Sequence, residues 1–278
     1  MIDQLNINSF SNYLKPRSRE SHKGDFGKIL IIGGDLAYSG AVRLAGEAAL
    51  RVGAGCVKIA TRPEHAFILN ASCPELMCHG VSSPAELKEL LAYATCVVIG
   101  PGLGREPWGQ ELLHFVLEKC DKPLLLDADA LNNLAEMKWM TKKENWIFTP
   151  HPGEAARLLK ITSEEIQKDR LSALKKLHEL LGGIVVLKGA GTLVLSNHIQ
   201  AEICHAGNPG MATAGMGDVL CGVISGIAAQ NIPLFDAVRL GVLVHAMAGD
   251  LAAMQGERGM IASDLVSCLR AVVNKSFT

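Results

Sequence analysis

Six short apolar runs, each bounded by glycine, proline or polar residues, constrain this chain more than any other feature: Lys28–Ile32, residues 55–61, Cys96–Ile99, residues 123–126, residues 146–149 and Ile184–Leu187. Several are apolar at successive positions and therefore on both faces. A strand tolerates that only inside a parallel sheet with helices packed on each side. Between the runs, residues 40–52, Pro107–Lys119, 84–92 and 163–181 carry apolar residues at helical spacing. The alternation predicts a three-layer α/β domain, with a mostly parallel central sheet and helices on both faces. At 278 residues, 49% of them apolar, the chain can bury such a core. No repeat, low-complexity tract or charge-rich linker interrupts it, so one domain over residues 1–278 is expected, with 1–20 read as an N-terminal extension. The charged stretch 136–144 reads as a solvated loop or helix end.

Charge and cysteine content exclude several classes of function. Lysine and arginine total 27 against 28 aspartates and glutamates, a formal net charge of −1. Such a balance lacks the footprint of a nucleic-acid or acidic-membrane binder, so no nucleic-acid partner and no membrane partner is expected. Residues 1–19 contain no apolar signal core. The longest apolar stretch, residues 219–229, is about 11 residues and glycine-interrupted, short of the ~20 that cross a bilayer. A soluble, cytoplasmic protein is expected. The eight cysteines include no Cys-x-x-Cys pair and mostly sit in apolar runs, so they read as small buried hydrophobes in a reducing compartment. Cys78-His79 and Cys204-His205 have no second pair at metal-site spacing and are read as ordinary residues.

Beyond Leu187 the pattern changes. Residues 191–196 and 199–204 flank the polar pair Asn197-His198, which suits a hairpin. Three largely apolar helices, at 216–229, 234–254 and 261–273, are predicted to form a C-terminal helical segment. The densest chemical signal is Gly207-Asn-Pro-Gly-Met-Ala-Thr-Ala-Gly-Met-Gly-Asp218, directly before the first of these helices. Glycines let backbone N–H groups converge on a ligand, and a helix start adds free N–H groups and a positive dipole end, which together make a phosphate site. Asp218 at that helix start is either an N-cap or a base; four upstream glycines favour the base. An aspartate beside an anion hole suits phosphoryl transfer, with the carboxylate taking a proton from an attacking hydroxyl. Neither a P-loop nor a Gly-x-Gly-x-x-Gly fingerprint occurs.

Gly215-Met-Gly-Asp218 resembles the anion-hole signature of the ribokinase-like superfamily. Other segments resemble its dehydratase branch, the ADP- or ATP-dependent NAD(P)H-hydrate dehydratases: Lys23-Gly-Asp-Phe-Gly27, Ile31-Ile-Gly-Gly34, Tyr38-Ser-Gly-Ala41, Gly53-Ala-Gly55, Gly100-Pro-Gly-Leu-Gly104, Asp127-Ala-Asp-Ala-Leu-Asn132, Thr149-Pro-His-Pro-Gly-Glu154 and Lys188-Gly-Ala-Gly-Thr192. They occur in the family's order from about residue 20 onward. The resemblance implies dehydration of the (S)-form of hydrated NADH or NADPH (NADHX, NADPHX), coupled to conversion of ADP to AMP and phosphate with Mg2+ as cofactor. It also implies a metabolite-repair role, a homo-oligomer such as a tetramer, and a separate epimerase in the same pathway, since the chain resembles the stand-alone form.

The same resemblance implies roles for individual residues. Asp218 would be catalytic, with Gly215, Met216 and Gly217 forming the anion hole. Lys188, Gly189, Ala190, Gly191, Thr192 and Gly217 would hold the nucleotide, ADP or ATP. Ala41, Gly104, His151 and Asp218 would contact the hydrated cofactor, and Glu154 would act on Mg2+ through water. Related kinases usually carry Asn in the place of His151. From the residues alone, Lys188–Thr192 is also a plain hairpin turn, and His151 to Glu154 also a Pro-Gly helix start. For Asp127 and Asp129 a phosphate–metal role and a helix-capping role fit equally, so neither is assigned to the site. The competing expectations are a small-alcohol kinase of the same fold and a non-catalytic nucleotide sensor; His151 speaks against the first and Asp218 against the second.

Overall fold

The computed structural model describes residues 2–137, 141–197 and 200–274. Among them, ten strands build one sheet: β1 (Asp3–Gln4), β2 (Lys28–Ile32), β3 (Cys56–Thr61), β4 (Met77–Gly80), β5 (Cys96–Ile99), β6 (Leu124–Leu126), β7 (Trp146–Phe148), β8 (Ile184–Leu187), β9 (Thr192–Leu195) and β10 (Glu202–Cys204). Their order is β1-β10-β9-β8-β7-β6-β5-β2-β3-β4. All neighbours are parallel except β9, which runs antiparallel to β8 and β10.

The helices are α1 (Ser39–Arg51), α2 (Pro63–Ser72), α3 (Leu87–Tyr93), α4 (Pro107–Lys119), α5 (Asp129–Glu136), α6 (Pro152–Leu159), α7 (Ser163–Lys168), α8 (Arg170–Leu181), α9 (Met216–Ala228), α10 (Leu234–Ala253) and α11 (Ala262–Val273). Successive strand side chains point to opposite faces, so each all-apolar strand feeds two cores. Ile29, Ile31, Val98, Leu125, Ile147 and Val186 pack with residues of α1, α9, α10 and α11. Leu30, Ile32, Val97, Ile99, Leu126 and Leu187 pack with residues of α3, α4, α5 and α8. Each such aliphatic side chain removed from water contributes roughly 1.5–3 kcal/mol, which is why the fully buried positions of these central strands are apolar. The three-layer α/β fold expected from the alternation is the fold observed.

Helices α1 and α9 meet backbone to backbone. A Cβ on Gly222 would lie 2.0 Å from the Ala45 carbonyl oxygen, and one on Gly226 2.8 Å from that of Ala49. Close approach of this kind is open only to glycine.

Some elements depart from the sequence expectation. The helix predicted over 163–181 is two helices, α7 and α8. Asp169 leaves helical geometry (φ −146°, ψ 81°), and its carboxylate accepts the Ser172 N–H at 2.9 Å, capping the second helix. Helix α2 and strand β4 were not anticipated, and α5 only as the helix that Asp127 or Asp129 would cap. Within residues 1–20, β1 pairs with β10, and Leu5 and Phe10 are buried in the α1/α9 core. The predicted hairpin is present as β9 and β10, although its residues 198 and 199 lie outside the described residues, as do 138–140 of the charged stretch. The eight cysteines are unpaired, six buried and two half-buried. Among the described residues no helix is long and apolar enough to cross a membrane.

Candidate active site

From the β2/β5 boundary the sheet grows in two directions, through β3 and β4 on one side and β6 to β8 on the other. Open α/β sheets bind ligands beyond their carboxyl strand ends near such a switch. Gly33-Gly34 follow β2 there, Gly100–Gly104 follow β5, Asp127 follows β6, Thr149 to Glu154 follow β7 and Lys188 follows β8. The antiparallel β9 starts at the same end with Thr192.

A cavity of about 490 Å³ opens between the β8–β9 turn, the loop after β10 and the start of α9. Lys188, Gly189, Ala190, Gly191, Thr192, Met216 and Gly217 all line it, so every residue expected to hold the nucleotide faces one space. Leu220, Val242 and Ala246 supply an apolar wall. The turn is fastened by Arg170, whose guanidinium donates to the carbonyls of Leu187 and Gly191, each at 3.1 Å. Across the cavity, the Gly207 N–H and the Asn208 amide donate to the two oxygens of Asp250, both at 3.0 Å.

Helix α9 begins with Gly215 as N-cap at φ 88°. That left-handed conformation suits glycine, and a Cβ there would lie 2.6 Å from Leu44 Cδ1 and 3.0 Å from the Ala262 Cβ. The Val219 N–H donates to the Gly215 carbonyl at 3.0 Å, so the N–H groups of Met216, Gly217 and Asp218 precede the first intrahelical bond and point off the helix end. Asp218 is the third helical residue and not the cap, which removes the capping reading. His245 of α10 supports this turn from below, its Nε2 3.0 Å from the Met216 carbonyl oxygen. Burial pushes this imidazole down to about 4, so it stays neutral and donates.

One cation, Lys188, and three carboxylates, Asp127, Glu154 and Asp218, gather at the helix start. Lys188 Nζ lies 2.5 Å from Asp127 Oδ1 and 3.7 Å from Glu154 Oε2. Burial works against this ammonium, but Asp127 and then Glu154 outweigh it and hold its pKa above the ordinary value. Asp218 is pushed up to about 7, first by burial and then by the Asp127 carboxylate, against the pull of Lys188. Glu154 is also pushed up to about 7, by burial opposed by Lys188. A carboxylate poised near neutrality suits proton transfer at physiological pH.

Ala41, Gly104 and His151, three of the residues expected to contact the hydrated cofactor, lie outside the walls of the cavity, at the same end of the sheet. Ala41 is in the first turn of α1, and Gly104 closes the loop after β5. These two loops are joined: the Gly34 and Asp35 N–H groups donate to the carbonyls of Pro101 at 3.0 Å and Gly102 at 2.6 Å. His151 is the N-cap of α6, half-exposed, with Nδ1 accepting the Gly153 N–H at 2.9 Å and Nε2 3.2 Å from Glu154 Oε1. Burial and then Lys188 lower its pKa. Glu154 returns the cap by accepting the His151 N–H at 2.8 Å, so the Pro-Gly helix start and the charged cluster share one glutamate.

Several positions escaped sequence reasoning. Asp127 and Asp129 do not cap α5, whose N-cap is Ala128 with no side-chain cap bond. Asp129 instead accepts the Gly104 N–H at 3.0 Å. Asp127, Thr149, Arg170, Asp250 and His245 all brace the site. The Asp127-Ala-Asp segment at a strand end was the one signal that could have singled out the first of them.

A sequence profile described as NAD(P)H-hydrate dehydratase matches residues 29–270. A bifunctional NAD(P)H-hydrate repair enzyme of Coxiella burnetii is 53% identical over 262 residues, which are 94% of this chain and 53% of that protein. The chain thus spans about half the length of such bifunctional relatives. An ADP-dependent (S)-NAD(P)H-hydrate dehydratase of Neisseria meningitidis is 38% identical over 273 residues, 96% of this chain and 91% of that one. Among solved structures, the ADP/ATP-dependent NAD(P)H-hydrate dehydratase of Bacillus subtilis, co-crystallised with ATP and Mg2+, superposes with a TM-score of 0.85 at 28% identity, over 98% of this chain and 97% of that one. The chain belongs to the NAD(P)H-hydrate dehydratase family.

Proposed function

We propose that this chain dehydrates the (S)-form of hydrated NADH and NADPH, coupled to conversion of ADP to AMP and phosphate, and so restores working cofactors. The observation that carries the reading is Asp218, a carboxyl pushed up to about 7 inside the first turn of a helix whose free N–H groups face a nucleotide-sized cavity.

The chemistry follows from the leaving group. Hydration leaves a hydroxyl on C6 of the nicotinamide ring, and hydroxide leaves poorly. Ionised Asp218 takes the hydroxyl proton while the oxygen attacks the terminal phosphorus of ADP, and the bond from that phosphorus to the AMP oxygen breaks. The N–H groups of Met216 and Gly217, together with the Lys188 ammonium, face the charge that gathers on the transferring group. The ring nitrogen lone pair then expels phosphate from C6, and loss of a proton from C5 restores the double bond. Gly189 to Thr192 would contact the nucleotide through the turn that Arg170 fastens. Ala41, Gly104 and His151 would present the hydrated ring.

Mg2+ fits this site as a companion of the nucleotide. Among the described residues no group of three His, Cys, Asp or Glu side chains can hold a metal ion unaided. A cation here would therefore take most ligands from phosphate and water, the usual habit of Mg2+, with Glu154 reaching it through water. When bound it supplies neutralising charge to the phosphates.

The reading extends to a cytoplasmic, homo-oligomeric enzyme, tetrameric in its simplest form, that works with an epimerase converting the other form of the hydrate. The bifunctional relatives support the epimerase pairing. The exposed Phe67 and Ile68 on α2 support an assembly face.

Mixing the purified protein with hydrated NADH, Mg2+ and either ADP or ATP tests the proposal. The absorbance of the reduced nicotinamide should rise only with nucleotide, and the faster nucleotide names the donor. A folded protein that gives no rise, or a stable phosphoester in its place, would move the assignment to a small-alcohol kinase.

A further inference from the structure

We propose that Asp127 is a positioning residue for this phosphoryl transfer, holding the Lys188 ammonium fixed beneath the first turn of α9, where the transferring group gathers charge. The inference rests on the function proposed above and adds a residue to it.

Asp127 is 1% exposed. Its Oδ1 accepts from Lys188 Nζ at 2.5 Å and from Thr149 Oγ1 at 2.7 Å. Its backbone is equally fixed: the N–H donates to the Ile99 carbonyl at 3.2 Å, and its own carbonyl accepts from the Ala130 N–H at 3.0 Å. The next residue, Ala128, sits at φ 47°, a region that side chains avoid, so the chain holds a strained turn that sends Asp127 inward. Four elements therefore converge on one carboxylate: the ends of β6, β7 and β8 and the start of α9. A Cβ built on Gly217 would stand 3.3 Å from Lys188 Nζ and 3.6 Å from Asp127 Oδ2, which puts the ion pair directly under the anion-hole turn.

A buried ion pair is weak as a stabilising device, because desolvating both charges offsets most of their attraction. A lysine, however, has four rotatable side-chain bonds and only acts as a preorganised donor if something holds it. Asp127 on one side and Glu154 on the other do so, and they also keep the ammonium charged in a buried place. Removing Asp127 would leave Lys188 charged but held from the Glu154 side alone, so ground-state binding of the nucleotide should survive while the transition state loses its aligned cation.

The test is a double-mutant cycle on the full chain with Asp127→Asn, Lys188→Met and the pair. Dehydration kcat is read with ADP, and ADP affinity by titration calorimetry. Asp127→Asn is expected to lower kcat roughly 10- to 100-fold. It should leave ADP affinity unchanged or tighter, since an anion has left a phosphate site. In the Lys188→Met background it should lower kcat no further. Equal losses in both backgrounds, or ADP affinity falling in step with kcat, would overturn the proposal and make the pair structural. Should Asp127→Asn not fold, Thr149→Val removes the hydroxyl that shares Oδ1 without altering charge. It should give the same pattern, a several-fold loss of kcat that vanishes without Lys188. If the wild type dehydrates nothing with any nucleotide, the proposed function fails and this inference falls with it; a wild type that turns over while the cycle gives equal losses in both backgrounds refutes this inference alone.

Discussion

Replacing Asp218 by asparagine should make the enzyme nearly inactive and, above neutrality, more stable. Asn keeps the shape but neither ionises nor takes a proton, and loss of a general base typically costs about 10²–10⁴ in kcat. The stability effect follows from linkage. Asp218 is carried from 3.8 in the unfolded chain to about 7 in the folded one. Between those values the folded state holds a proton that the unfolded state has released, so stability falls as pH rises through the window and levels off above it. From about pH 5 to pH 7 lie two tenfold steps in proton concentration, each about 1.4 kcal/mol, or nearly 3 kcal/mol at face value. The half-buried position of Asp218 reduces this by roughly half. Asp218→Asn should therefore gain on the order of 1–2 kcal/mol on the wild type between pH 5 and pH 8, read by denaturant unfolding at both pH values, and about 2–4 °C in Tm per kcal/mol. A stability difference equal at the two pH values would refute the buried-base argument. Turnover near that of the wild type would refute the assignment of the base.

Other expectations follow from the same site. In the wild type, kcat/KM should rise with pH and level off above about 7, because Asp218 must be ionised to act; Glu154, also near 7, should broaden the profile, and a flat profile across this range would remove Asp218 as the base. Asp250→Ala should free the Gly207 and Asn208 loop and raise the KM for nucleotide several-fold with little change in kcat, checked by initial rates at varied ADP. Gly215→Ala should cost about 1–3 kcal/mol of stability, since φ 88° and the Leu44 methyl at 2.6 Å leave no room for a methyl; an unchanged melting curve would contradict that packing.

The centre of the sheet was legible because burial on both faces leaves an unbroken apolar signature. Lys28–Ile32, Cys96–Ile99 and Ile184–Leu187 begin and end where the sequence reading put them. The edge was not legible: Met77–Gly80 in β4 is half-covered and carries no apolar alternation. The break between α7 and α8 hid inside a helical pattern because Asp169 interrupts it for one residue only. In the site, glycine clusters announced the loops that approach a ligand, and the cavity gathers the residues of the Lys188–Thr192 segment with Met216 and Gly217. Asp127 stayed ambiguous because a strand-end aspartate before a helix is also the ordinary signature of a cap. Only the position of Ala128 at the cap and of Lys188 61 residues further along the chain separates the two. Arg170 and Asp250 gave no signal, since each acts on backbone or amide groups brought near only by the fold.

The contact between α1 and α9 sets a distance that neither helix sets alone. One helix carries Ala41 in its first turn and the other carries Gly215 to Asp218 at its start, so in the proposed reaction one presents the hydroxyl and the other the phosphoryl group. Gly222 and Gly226 let the two rods touch along their backbones, which leaves no slack for one start to drift from the other. The gauge between donor and acceptor is thus cut into the interior of a helix pair, one to three turns away from either ligand. A single methyl at Gly222, 2.0 Å from the Ala45 oxygen, would wedge the rods apart. Beyond its cost in stability, the lesion would show when both substrates were bound, each in its own place, and the reaction between them failed.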